Sequence, residues 1–423
     1  MSHLFKNVKV VQPGSDLNGK TIDIHVSNGI IEKIGSDISI ENATVFEREG
    51  LCVSSGWVDL LSNFMDPGYE YKENLTSGLN AAASGGFTAV AVMPDTEPVI
   101  DSAAQVNDLL RRSEQHQVFL LPVGSISKRL KQDSLAELFD MSSNGAVAFC
   151  DAKKHLANSD LMRIALQYAK GAGLNVWSFP KDASIAGVGY MNEGLTSTLS
   201  GIKGVPSLAE ELAVARDIQL SEYTGCPVHF PMISCKGSVD LVAKALASGV
   251  KVSAGAASYH LKYTDEDLID LDSNLKTDHP LRSKKDQEAL IAAISDGIVT
   301  SIVSDHTPQD YEAKVLEFGH AEYGMINLQT SFAMSRSSSL GLDSIIASFT
   351  NGPREILGQV IPSLMESERA ELTFFCPDET WTFTKELNQS LSNNSPVLGV
   401  ELVGRPIAIA SAGKVTFGAG TCE

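Results

Sequence analysis

The sequence predicts a (β/α)₈ barrel joined to a small β-sandwich domain built from both termini. Three observations carry this. Eight short apolar runs recur through the middle of the chain: Trp57–Asn63, Phe87–Met93, Val118–Gly124, Ala146–Cys150, Leu174–Ser178, Pro227–Ile233, Val250–Gly255 and Ile298–Ser304. Amphipathic stretches such as "SDLMRIALQYAKGAG" and "SLAEELAVARDIQLSEYTG" lie between them, with apolar residues at helical spacing and a closing glycine. Both ends are strand-rich instead. Alternating strand and helix eight times favours a closed parallel barrel over an open α/β sheet.

Taken in order, residues 1–52 open with "TIDIHVSNGIIEKIG", two β-branched runs around the turn signal Ser27-Asn28-Gly29. The barrel is expected over 53–364. In it, Ser207 with Glu210 three residues later has the spacing of a capping box. Residues 365–423 return to strands in "AELTFFCP", "TWTFT" and "GRPIAIASAGKVTF", where Ala412-Gly413 parts two runs. These strands are expected to pair with the N-terminal ones.

Composition narrows the function classes. The 423 residues are 43% hydrophobic and 20% charged, ordinary for a globular chain. A net charge of −19 argues against nucleic acid or an anionic membrane as partner. No apolar run approaches the ~18 residues of a membrane span, and no leader pattern opens the chain, so a cytoplasmic location is expected. The six cysteines (52, 150, 226, 235, 376, 422) contain no CxxC pair and suit a reducing compartment. Cys226, His229 and Cys235 match no zinc spacing and read as core residues. Glycine-containing "SGG" and "GFTAVAV" lack phosphate-loop spacing.

In such barrels chemistry gathers at the C-terminal strand ends. There the chain offers Asp151, Asp305 and His306 as metal-binding types, with Cys150 and Asp182 outside them. His260, in "ASYHL", reads as a structural histidine, as does His306. His229 is expected to face the helices. Lys181 follows strand five and is expected to offset the charge of Asp151 and Asp305; a Lys181 directed away from both would end that idea.

Four blocks, "PGYEYKENLTSGLNAAASGGFTAVAVMPDTEPVID", "NEGLTSTLSGIKGVPSLAEELAVARDI", "YTDEDLIDLDSNLKTDHPLRSKKDQEALIAAISDG" and "SDHTP", resemble the dihydroorotase family of the amidohydrolase superfamily. The resemblance is to its bacterial branch that associates with aspartate transcarbamoylase, and it spans the chain. It implies a barrel that opens a cyclic amide with zinc-bound hydroxide. Residue by residue, the family's Asp-x-His-x-His-x-Arg is met by Asp59, Leu61, Asn63 and Met65, so both histidines and the carboxylate-binding arginine are replaced. The histidine positions after strands five and six are Phe179 and Met232, and two substrate-contacting asparagines are Asp95 and Asp278. Asp151, a family metal ligand, and Asp305, the family's general base and ligand, survive.

Leucine and phenylalanine supply no zinc donor, and a thioether is a poor one. No bound metal is therefore expected, and Asp305 reads as a remnant. Three functions follow as expectations. The first is a non-catalytic dihydroorotase homologue of pyrimidine biosynthesis, a structural or regulatory partner of aspartate transcarbamoylase in a homo- or hetero-oligomer. The second is an active cyclic amidohydrolase with a rebuilt centre, one zinc on Asp151, Asp305 and Cys150 or His306. The third is a small-molecule binding protein using the vacated pocket.

Overall fold

The structure is a computed structural model in which residues 2–421 are described; Cys422 lies outside them. Strands Ser2–Val10, Thr21–Ser27, Ile30–Gly35, Thr44–Glu47 and Cys52–Ser55 form one sheet with Leu372–Thr382, Glu401–Ser411 and Lys414–Phe417. The termini meet where Leu372–Phe375 pairs antiparallel with Cys52–Ser55. Phe5 stacks on Phe374 at 3.8 Å between ring centroids in the core that this sheet encloses.

Both turns read from sequence are hairpins of the primed kind. Asn28 and Gly29 have φ of 49° and 78°, Ala412 and Gly413 of 47° and 81°, and two successive positive φ values match the strand twist. The two hairpin tips touch: a Cβ on Gly29 would lie 2.4 Å from Gly413 Cα. Glycine at 29 is therefore required twice over, by φ and by space.

All eight apolar runs become barrel strands: Trp57–Ser62, Phe87–Val92, Phe119–Gly124, Ala148–Phe149, Val176–Trp177, Val228–Phe230, Val252–Ala257 and Ser301–Val303. Each pairs parallel with the next in sequence order. The barrel closes where Asn63 N–H donates to His306 carbonyl at 2.8 Å, beside the Ser62–His306 bridge. Asp59 stitches the same seam, accepting from the Ser304 amide at 2.7 Å and from the hydroxyls of Ser62 and Ser304 at 2.5 and 2.7 Å.

The helices follow their sequence signals with one exception. Ser159–Ala172 is capped by Asn158 and closes on left-handed Gly173, and Leu208–Thr224 closes on Gly225 with φ 67°. The capping box at Ser207 does not form. Ser207 is itself helical and its side chain makes no cap bond. Glu210 turns inward, accepts the Ser234 amide at 2.8 Å and faces Arg282 at 3.6 Å. A cap bond is worth about 1 kcal/mol, less than a buried guanidinium and amides offer a carboxylate. Burial alone would raise this carboxyl, but Arg282 and His279 outweigh it and hold Glu210 at about 2.

The segment 383–400, between two strands of the terminal sheet, reaches back over the barrel rim. Asn394 donates to Thr307 carbonyl at 3.0 Å, and its own carbonyl accepts the Ile326 amide at 3.0 Å. Leu391 N–H and the Ser390 hydroxyl both reach Glu73. Among the described residues no helix is long and apolar enough to cross a membrane.

Candidate active site

The C-terminal strand ends bring the rim residues together, but not in the pairs expected. Asp305 follows strand eight with φ 48°, a left-handed conformation that aspartate tolerates. Its carboxylate is buried and sits 2.5 Å from the Lys153 ammonium. The Tyr259 hydroxyl donates to its other oxygen at 2.7 Å. Lys153 follows Ala152, at φ 52°, and also donates to the Thr307 hydroxyl at 2.7 Å. Burial and the neighbouring Asp305 raise the Tyr259 hydroxyl well above its ordinary value, so it stays a donor.

Lys181 is not the partner of either surviving aspartate, and that expectation is corrected. It pairs with Asp278 at 2.9 Å and donates to the Asp278 carbonyl at 3.0 Å. Two acceptors on one residue fix the ammonium on Asp278. Burial pushes the Asp278 carboxyl up, but His279 and Lys181 outweigh it and hold it well below the usual range.

The other rim carboxylates are engaged locally. Asp151 accepts from the Ser127 amide at 2.8 Å and the Ser127 hydroxyl at 2.5 Å. Burial raises its carboxyl against those two bonds. Asp95 accepts from Asn63 Nδ2 at 2.7 Å. Burial raises Asp95, Lys153 and Lys154 oppose the shift, and Asp305 adds to it. Asp182 caps the short turn Ala183–Ala186 through the Ser184 amide at 2.8 Å.

Leu61, Phe179 and Met232 are buried in one apolar cluster with Met93, Cys150, Trp177 and Val303. Met232 Sδ lies 3.5 Å from the Tyr259 oxygen, so the apolar cluster reaches the Asp305 centre. Met65, half-buried, begins the loop after strand one with φ 55°.

The histidines and cysteines serve the scaffold. His306 Nδ1 accepts the Asn327 amide at 3.0 Å and its Nε2 faces Glu73 at 3.3 Å. His260 Nε2 meets the His279 carbonyl at 3.2 Å, and burial pulls its pKa down to about 3. His229 packs edge-on against Trp177 and bonds Ser253 Oγ at 2.9 Å, again lowered to about 3 by burial. Cys226 and Cys235 are buried and unpaired by disulfide, and Cys150 lies 3.8 Å from Met93 Sδ.

Zinc asks for three or four N, O or S donors converging at about 2 Å. Asp151 spends both oxygens on Ser127, Asp305 on Lys153 and Tyr259, and His306 its nitrogens on the Asn327 amide and Glu73. Among the described residues no three His, Cys, Asp or Glu side chains are placed to hold an ion. The set Asp151, Asp305 and Cys150 or His306 does not converge. The residues present do not fit a zinc ion.

A family profile described as Dihydro-orotase-like matches residues 50–238. Proteins named dihydroorotase align along the whole chain. One from Geobacter metallireducens is 37% identical over 423 residues, covering 99% of this chain and 100% of the relative. One from Trichlorobacter lovleyi is 36% identical, covering 99% of each. The chain belongs to the dihydroorotase family. Among solved structures, the L-hydantoinase (dihydropyrimidinase) of Arthrobacter aurescens superposes with a TM-score of 0.84 at 20% identity, covering 99% of this chain and 96% of that one. The D-hydantoinase of a Thermus species gives 0.82 at 18% identity, with 99% and 96% covered. These likenesses show the fold alone, a parallel barrel joined to a sheet domain built from both termini.

Within this dihydroorotase-family barrel, Lys153, Tyr259 and Ser127 are residues that sequence reasoning passed over. Lys153 stands two residues past Asp151, and Tyr259 two past the end of strand seven. The strand-end rule that pointed to Asp151 and Asp305 applied equally to them.

One prediction arises at the seam. Burial raises the Asp59 carboxyl to about 6 against its three donors. A folded pKa above the unfolded one gives stability that is present below about pH 4 and lost as pH rises through about 6. Asp59→Asn removes that dependence. The stability of the natural protein relative to the variant is expected to fall by about 2 kcal/mol between pH 4 and 7, read from urea midpoints. A difference that stays flat with pH would exclude an uncharged seam carboxyl.

Proposed function

We propose that this dihydroorotase-family protein is a non-catalytic homologue that serves as a structural or regulatory partner of aspartate transcarbamoylase. The observation that carries it is the Lys153 ammonium on Asp305, with Leu61, Phe179 and Met232 buried alongside. An ammonium neutralises the aspartate as a metal would, but does not lower the pKa of water from 15.7 to about 7, as catalytic zinc does. The family histidine positions, read as Leu61, Asn63, Phe179 and Met232, and the arginine position, Met65, leave neither a zinc set nor a bidentate carboxylate clamp. Asp95 and Asp278 add negative charge where an anionic substrate would lie. A complete barrel and sandwich kept around such a centre supports selection for shape.

A second reading has support of its own. Relatives aligned over 99% of the chain are named dihydroorotase, which favours a cyclic amidohydrolase. In it Asp305, flanked by Tyr259 and Lys153, would carry the proton transfers.

Metal content and turnover separate the two. Chain expressed with added zinc and never exposed to chelator is expected to hold far less than one zinc and to leave dihydroorotate unhydrolysed. It is expected to co-elute with the aspartate transcarbamoylase catalytic chain in size-exclusion chromatography. Stoichiometric metal with turnover would establish the second reading, and separate elution would refute the partnership.

A further inference from the structure

A cavity of about 750 Å³ opens beside the Asp305 centre, between the loops that follow strands three, four and five and the helix Leu208–Thr224. Its lining is basic in a chain of net charge −19: Lys131, Lys153, Lys154, Lys181 and Arg216, with His155. Asp182 is the one carboxylate among the described lining residues. That carboxylate is turned to the Ser184 amide and hydroxyl and the Ile185 amide, so its charge is spent on a helix start.

The five cations fall into two sets. Lys153, Lys181 and Arg216 are fixed from behind, by Asp305, Asp278 and Asp217. Arg216 is saturated: it also donates to the Leu156 carbonyl at 2.7 Å and meets His155 Nε2 at 2.8 Å. Lys131 and Lys154 are exposed and form no ion pair among the described residues. Gln132, whose amide holds the His155 carbonyl at 2.9 Å, ties the loop of Lys131 to that of Lys154. Two unpaired ammoniums are thus presented on loops braced against each other.

We infer that this side cavity is a binding site for a small phosphate-bearing anion. A planar carboxylate is best read by a free guanidinium fork, and the one arginine here has no fork to offer. Lysines act as point charges and reward charge density, which a phosphate supplies. Ser159 at the same wall can donate to its oxygens. The site is lateral to Asp305 and stands whether or not that centre hydrolyses anything.

The probe is inorganic pyrophosphate, titrated calorimetrically into the full chain at low salt. Saturable binding of one pyrophosphate per chain is expected, weakening as salt is raised. Lys131→Gln with Lys154→Gln, both exposed positions, is expected to weaken it about tenfold or more with an unchanged circular dichroism spectrum. No saturable heat would overturn the site. So would equal affinity in the double variant, and succinate binding as tightly as pyrophosphate would overturn the phosphate assignment.

Discussion

Replacing Lys153 with methionine is expected to destabilise the protein by about 3 kcal/mol, because it leaves the Asp305 carboxylate buried without its cation. The side chain of Lys153 is 15% exposed and that of Asp305 1%, so solvent screens the pair little. Methionine matches the lysine stem in length and apolar character, which confines the loss to the charge and its bond to Thr307. Asp305→Asn alone leaves a half-buried ammonium, which can still reach the Thr307 hydroxyl, and should cost less. The double variant, Lys153→Met with Asp305→Asn, is expected to recover most of the loss, since a neutral amide next to an apolar chain strands no charge. A double-mutant cycle by urea unfolding reads this as a coupling of about 2 kcal/mol. A neutral Lys153→Met would mean that Asp305 is compensated by something else, and the proposed replacement of metal by ammonium would fall with it.

What could be read from the sequence and what could not divides along contact distance. The eight barrel strands were legible because an apolar run is a local signal, and so were the two hairpins, since Asn28, Gly29 and Gly413 are residue types that suit a positive φ, although Ala412 adopts one too. The terminal sheet followed from strand content at both ends. Partner choice among rim charges was not legible. Lys181 and Lys153 have the same standing in sequence, each just past a strand end, and only the closed barrel decides that Lys153 reaches Asp305 while Lys181 turns to Asp278. The Ser207–Glu210 spacing misled for the same reason: a short-range bond lost to Arg282 and Ser234, distant in sequence and close in the fold. The apolar nature of Leu61, Phe179 and Met232 was plain from the residues. That they join one buried cluster reaching Tyr259 required the structure.

Restoring histidine at Leu61, Asn63, Phe179 and Met232 together is expected to convert the chain into a zinc binder, and more strongly so when Lys153→Met is added. The four positions stand where the family resemblance puts ligand histidines, and Asp151 and Asp305 remain to complete the set. Without metal the fourfold variant is expected to be less stable than the natural chain, because imidazoles in the Leu61–Phe179–Met232 cluster bury nitrogens that lack partners. Zinc should reverse this, adding about 2.7 kcal/mol when it is present at about a hundred times its dissociation constant. Lys153 opposes the ion, since an ammonium beside Asp305 both repels a dication and occupies one of its oxygens. Adding Lys153→Met is therefore expected to tighten zinc binding at least about tenfold, about 1.4 kcal/mol. Zinc-dependent shifts in the unfolding midpoint of the two variants and the natural chain decide the matter. A natural chain stabilised by zinc as strongly as the variants would show a ligand set already in place and would carry the active-amidohydrolase reading. Variants that fold but ignore zinc would show that the strand ends no longer converge, placing the change in the backbone as well as in the side chains.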